Sequence, residues 1–360
     1  MKKTLTAGAA LLMTTSIASA GGLDRSGQPI TVIFEDGNHA ELSFGYVMPE
    51  VSGEITNPFF PGVGSESGDV AEDYLQLGAA IKIQQTPELS YALIIDQPYG
   101  AAVNYEDADA SYAVAGTSAH VKSIGTTALV RYEINPNFSV HGGIRAVTVE
   151  GDYTLVSGGS TAYTSDYSSD TAFSYVAGVA YEREEIALRV ALTYSSELDF
   201  DLDGTNGDLT TTMPESINLD FQTGIAADTL LFGSVRYVAW DGVVLLDSTF
   251  GELVSYDNDV YTYSLGVGRR FTDEFSGSVS VGYEAATDEV ASNLSPTDGY
   301  VSLAVGGSYA YSDAITVSGG VRYIMIGDAE TDISGMVPGN DTTFADNSAI
   351  AVGMKVAYSF

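Results

Sequence analysis

Ile350-Ala351-Val352-Gly353-Met354-Lys355-Val356-Ala357-Tyr358-Ser359-Phe360 alternates without a break. Ile350, Val352, Met354, Val356, Tyr358 and Phe360 fall on one face; Ala351, Gly353, Lys355, Ala357 and Ser359 fall on the other. A period of two is that of a β-strand. A soluble sandwich strand reads this way with its apolar face buried. A transmembrane barrel strand inverts the layout, with large apolar side chains toward lipid and small or polar ones toward the lumen. A barrel also pairs its last strand with its first, because an open sheet edge is not tolerated in hydrocarbon.

The same alternation runs back along the chain. Leu42, Phe44, Tyr46 and Met48 mark a first strand over 40–50, and Leu75, Leu77, Ile81 and Ile83 a second. Tight links stand at Thr86-Pro87-Glu88, Asn135-Pro136-Asn137, Glu184-Glu185, Ala227-Asp228-Thr229, Thr272-Asp273-Glu274 and Ser312-Asp313. Long polar stretches at 51–73, 100–118, 151–172, 200–215, 241–258 and 328–346 read as loops. The pattern predicts fourteen strands, with short links on one side and long links on the other. That is the layout of an all-β, 14-stranded antiparallel transmembrane β-barrel in a bacterial outer membrane.

Lys2 and Lys3, the apolar Ala9 to Met13 and the small residues Ala18-Ser19-Ala20 read as a signal peptide over 1–20. No later stretch is long and apolar enough for a helical span. Residues 21–38 lack periodicity; they are either a disordered lead-in or a segment tucked into the lumen. Residues 39–360 form the barrel. The chain has no cysteine, so a large hydrogen-bonded sheet must supply the stability of an exported protein. A net charge of −34 argues against nucleic acid as a partner.

Lys82, Arg131, Arg145, Arg189, Arg236, Arg270, Arg322 and Lys355 all fall on the small, polar face. An arginine facing mid-bilayer lipid costs roughly 2–4 kcal/mol. Glu41, Asp96, Asp220 and Glu284 share that inward face. Two readings follow: ion pairs that hold a filled lumen, or cations that meet an anionic ligand head. His141 reads as a packed wall residue. No histidine and carboxylate set has a metal spacing, no nucleotide or nucleophile-elbow motif occurs, and no cofactor is implied. Nothing supports an enzyme. Pro98, beside Tyr99 and Gly100, marks either the end of the third strand or a kink in it.

Three stretches carry a family resemblance: Gly22-Leu23-Asp24-Arg25-Ser26-Gly27, Leu42-Ser43-Phe44-Gly45-Tyr46-Val47, and Gln97-Pro98-Tyr99-Gly100-Ala101-Ala102-Val103-Asn104-Tyr105. With Met213-Pro214-Glu215-Ser216, they resemble the FadL/OmpP1/TodX outer-membrane transporters of long-chain fatty acids and other hydrophobic compounds. The resemblance implies a 14-stranded barrel plugged by its N-terminal segment, so Gly22, Leu23, Arg25 and Phe34 are expected in a plug over 21–38. It places a lateral opening at Asp96, Gln97, Pro98, Tyr99 and Gly100. It implies a monomer surrounded by outer-membrane lipid and lipopolysaccharide, with a hydrophobic small molecule as ligand. The segment before the first strand is short for such a plug, and a helical capture loop is not evident in 51–73 or 97–117.

A hydrophobic solute needs an apolar pocket with a few polar anchors. Ile94, Leu129, Phe232, Val238 and Ile324 are inward apolar side chains, and with Arg145 or Arg236 they are the expected ligand contacts. The competing readings are a general or anion-preferring porin, favoured by the inward cations, and a closed structural barrel.

Overall fold

The computed structural model describes residues 22–58, 62–287, 290–332 and 341–360. The expected signal peptide lies outside the described residues. Fourteen antiparallel strands close into one barrel: β1 (His39–Glu50), β2 (Tyr74–Gln84), β3 (Leu89–Asp96, resuming at Gly100–Asn104), β4 (Ser118–Asn135), β5 (Phe138–Ser157), β6 (Ser160–Arg183), β7 (Leu188–Ser195), β8 (Ser216–Ala226), β9 (Thr229–Val238), β10 (Val260–Arg270), β11 (Phe275–Glu284), β12 (Tyr300–Ala310), β13 (Ile315–Ile326) and β14 (Ser348–Ser359). Neighbours in sequence are neighbours in the sheet. The closing strand pairs with the first, Phe44 opposite Met354 and Tyr46 opposite Val352.

Alternation decides which side chains face out. Phe44 is 44% exposed and Val352 43%, whereas Lys82 is 1% and Arg145 2% exposed. Aromatic pairs ring both ends of the apolar band. Phe138–Tyr181, Phe271–Phe275 and Tyr358–Phe360 stand near the tight turns; Tyr175–Tyr194, Tyr237–Tyr261 and Tyr263–Tyr283 stand toward the loops. Rings with an apolar body and a polar edge suit the two membrane–water boundaries.

The six stretches expected as loops all contain strand. Residues 151–172 are the far ends of β5 and β6, joined through Gly158 and Gly159, both at positive φ (58° and 75°). Residues 200–215 and 241–258 contribute to a four-stranded outer sheet: Leu198–Leu202, Leu209–Met213, Val243–Asp247 and Gly251–Tyr256. Its Leu198, Phe200, Leu202, Leu209 and Leu245 are buried. Asp199, Asp201, Asp208 and Thr210, which made these stretches look like loops, are exposed, whereas Thr211 and Asp247 are buried. A second small sheet joins Gly53–Ile55, Val290–Ala291, Ala329–Asp332 and Asp341–Phe344. The stretch after Gly100 is also strand, as far as Asn104.

Candidate functional site

The wall is irregular at β3. Asp96 faces Gly125 of β4, and Gly100 faces Lys122. Three residues of β3, Gln97, Pro98 and Tyr99, therefore stand against two of β4, Ser123 and Ile124. One extra residue breaks the ladder and bends the strand. Proline adds to the break, having no amide hydrogen to donate. The bulge is pinned by Ser123, whose Oγ accepts from the Tyr99 amide (2.8 Å) and donates to the Tyr99 carbonyl (2.6 Å). Gly125 leaves room for it, since a Cβ there would lie 2.8 Å from Asp96 Oδ1 and 3.1 Å from Pro98 Cδ.

On its other side β3 parts from β2. Their ladder runs only as far as Ala79 opposite Ile95. Beyond it the Leu77 amide donates to the Gln97 side chain (2.7 Å) in place of a strand partner. Contact resumes higher up, where the Glu72 amide donates to Ala102 O (3.2 Å) and the Asn104 amide to Val70 O (2.9 Å). Between these points a side chain bridges the wall where a ladder would otherwise run.

The N-terminal segment lies against the inner side of this break. Asp24 bridges Tyr99 as a short antiparallel pair. The Arg25 amide donates to Pro98 O (2.8 Å), and the Gly100 amide to Leu23 O (2.9 Å). Ser26 Oγ donates to Asp96 Oδ2 (2.5 Å), and Gln28 Nε2 to the Tyr99 hydroxyl (3.0 Å). Each residue expected at a lateral opening is thus at the break, and Asp96, Pro98, Tyr99 and Gly100 touch residues 23–28.

The segment then descends toward the tight turns. Thr31–Phe34 forms a 3₁₀ turn whose Val32, Ile33 and Phe34 are buried. They pack with Ile30, Ala92, Ile94, Leu129, Val176 and Ala191. Phe34 lies between the guanidinium groups of Arg131 (4.9 Å) and Arg189 (5.0 Å) and meets His141 edge-on. His141 also shares a hydrogen bond with Thr193 Oγ1 (2.9 Å), so it packs as a wall residue. Lys82 Nζ donates to the carbonyls of Glu35 (2.8 Å) and Gly37 (2.9 Å).

The expected ligand contacts do not share one surface. Ile94 and Leu129 join the Phe34 cluster, whereas Val238 and Ile324 belong to a larger cluster under the outer loops, with Leu23, Tyr99 and Trp240. Phe232 belongs to neither; its ring fills the space left by Gly266. Arg145 donates to Gln28 Oε1, Thr127 Oγ1 (2.9 Å) and Ser195 Oγ (3.2 Å). Arg236 donates to Asp24 Oδ2 (2.6 Å), Asn218 Oδ1 (2.7 Å) and Ser216 Oγ (3.2 Å). Both wall arginines are engaged by the N-terminal segment. Arg131 pairs with Glu133 and Glu182, Arg270 with Asp228, and Lys355 with Glu41.

Beside the segment is a narrow cleft of about 50 Å³, lined by Leu23, Arg25, Val51, Tyr74, Val103 and Leu294 among others. An apolar cavity of ~150 Å³, about three times this volume, holds benzene, so entry of a ring here requires side chains to move apart. A larger groove, about 640 Å³, lies on the outer sheet, with Glu197, Asp199, Glu215 and Asp241 in its lining. It is open and acidic, unlike a site for an apolar molecule. Residues 23–28 and Tyr74 were the parts of the site hardest to read from sequence. Only the glycines and proline around them break the alternation.

The profile of the outer membrane protein transport family (OMPP1/FadL/TodX) matches residues 29–360. Among solved structures the chain is similar to a Pseudomonas aeruginosa FadL homologue, at 13% identity over 96% of this chain and 97% of the other, TM-score 0.76. It is also similar to the Pseudomonas putida toluene transporter TodX (12% identity, 92% of each chain, TM-score 0.67). The Ralstonia pickettii toluene transporter TbuX matches at 13% identity over 91% of this chain and 90% of the other, TM-score 0.61. At these identities the likeness establishes the fold. No curated protein matched the chain.

Proposed function

The chain belongs to the OMPP1/FadL/TodX family of outer membrane transport proteins, and from that premise we propose that it carries hydrophobic small molecules passively through the bacterial outer membrane. Such solutes cross a lipopolysaccharide layer poorly, so a protein path helps them. In this reading the ligand enters among the outer loops, reaches the cleft beside residues 22–25, and leaves sideways between β2 and β3. Residues 21–38 act as the plug over a barrel of residues 39–360, and the protein works as a monomer in lipid and lipopolysaccharide. Val238 and Ile324 contact the ligand near the cleft; Ile94, Leu129, Phe232, Arg145 and Arg236 lie along the plugged lumen.

The observation that carries this reading is the extra residue in β3 together with the loss of the β2–β3 ladder beside it. A lateral path needs a place where the wall can part without breaking a run of backbone hydrogen bonds, each costly to leave unmade in lipid. Deleting Pro98 removes the extra residue and lets one register run through β3 and β4. Cells expressing the Pro98 deletion are expected to take up labelled toluene or oleate no faster than cells without the protein, while the barrel still shows heat-modifiable gel mobility. Uptake equal to the unaltered protein would remove the lateral path.

A further inference from the structure

Most of the lumen's cations have a partner; Arg25 stands apart. It sits on the N-terminal segment, with its guanidinium 3.8 Å from the centre of the Tyr74 ring. Its Nε is sealed from solvent and has no hydrogen-bond partner. Among the described residues, no carboxylate lies within ion-pair distance of it, in contrast to Arg131, Arg236, Arg270 and Lys355. Tyr74 offers it the negative face of a ring, which favours a cation and leaves its edge donors free.

The position is built for that head group. Gly100, on the bulge of β3, stands where a Cβ would lie 2.7 Å from Arg25 Nε and 2.8 Å from Cδ and Cζ. The same guanidinium lines the cleft, whose other walls include Leu23, Val51, Val103 and Leu294. The one carboxylate in the lining, Glu72, is turned to other partners. Its Oε1 accepts from Asn104 Nδ2 (3.2 Å) and its Oε2 lies 3.3 Å from His120 Nε2. The cleft thus combines apolar walls with one unpaired cation.

Resting on the transport reading above, we propose that Arg25 is the specificity-determining residue of the cleft. It selects amphiphiles with one anionic head and an apolar tail over neutral hydrocarbons. A carboxylate fits the guanidinium edge, where two N–H groups meet two oxygens. The tail lies along the apolar walls as they part. The wall residues Arg145 and Arg236 take no part in this selection, since Gln28 and Asp24 hold them.

Trp240 provides the readout. It is the single tryptophan of the chain, is buried, and abuts Gly22 at the edge of the cleft. Protein held in amphipol is titrated with dodecanoate, dodecan-1-ol and toluene, and Trp240 emission is followed in the unaltered protein, R25K and R25Q. Dodecanoate is expected to bind about tenfold more tightly than dodecan-1-ol in the unaltered protein, the worth of one charge-assisted hydrogen bond. R25K keeps a preference and R25Q loses it, read as the ratio of dodecanoate to dodecan-1-ol affinity within each variant. If R25Q does not fold, Gly100→Ala displaces the same head group and is expected to lose the same preference. Equal binding of acid and alcohol in the unaltered protein, or a preference that survives in R25Q or Gly100→Ala, overturns the assignment and leaves hydrophobic transport standing. No response to any of the three probes overturns both.

Discussion

Asp24 and Arg236 show how single residues secure the lumen. They are 212 positions apart in sequence and 2.6 Å apart in space, and both are buried. Breaking a buried pair from one side strands the other charge, at a cost of about 3–5 kcal/mol. Asp24→Ala is therefore expected to lower the denaturation midpoint more than the double change Asp24→Asn with Arg236→Gln, which strands no charge. Urea unfolding followed by tyrosine and Trp240 fluorescence measures both, and equal losses would show that the pair contributes nothing as a pair. The alternation of β9 placed Arg236 inward from sequence alone. It could not name the partner, because Asp24 lies in a segment with no period at all. The same holds for Arg145 and Gln28.

At the scale of elements, strands that face lipid on one side were legible and those above the membrane were not. Lipid demands a large apolar residue at every second position, so β1, β2 and β14 read themselves out. The outer sheet packs only one face on the loops and exposes the other to water, so Asp199, Asp201 and Thr210 mask its period. Asp247 fastens this sheet. Burial raises its pKa, but the hydrogen bonds it accepts outweigh that and hold it below the usual carboxylate range. The donors are the Phe250 amide (2.7 Å), the Tyr167 (2.6 Å) and Tyr163 (2.7 Å) hydroxyls, and the Thr249 amide (2.8 Å). A carboxylate depressed in the folded state adds stability that is complete above its unfolded value, ~3.9, and is lost as pH falls through the folded one. Protease resistance of the outer sheet is thus expected to be flat from pH 8 to 5 and to fall below pH 4. Asp247→Ala should abolish the resistance at every pH, since it orphans buried donors at roughly 1–3 kcal/mol each. Resistance in the variant equal to that of the unaltered protein would make Asp247 incidental.

For the whole molecule, the decisive question is whether the lumen is a pore or a filled core. Eight inward cations on fourteen strands read equally well as either, because alternation reports which way a side chain points and not what it meets. Partners favour the filled reading: Lys82, Arg131, Arg145, Arg189 and Arg236 each touch the N-terminal segment or lie over its Phe34 ring. On the proposed plug reading, the segment closes the water path for ions on that side. The purified protein in a planar bilayer is therefore expected to show little conductance. Deleting residues 23–35 from the mature chain removes the segment's contacts to all five and empties the space between β2 and β9. Arg131 keeps Glu133 and Glu182 and Lys82 keeps the Gly37 carbonyl, but Arg145, Arg189 and Arg236 face the lumen without Gln28, Phe34 and Asp24. The deleted form should conduct in large steps with a preference for anions, because the exposed wall is then positive. Asn38 is kept because its side chain accepts from the Gln84 amide (2.9 Å) and its carbonyl from the Phe360 amide (3.1 Å), the contacts that seat β1 between β2 and β14. Large conductance in the unaltered protein would instead make it a water-filled porin, and the contacts of residues 23–35 would be ornament on an open channel.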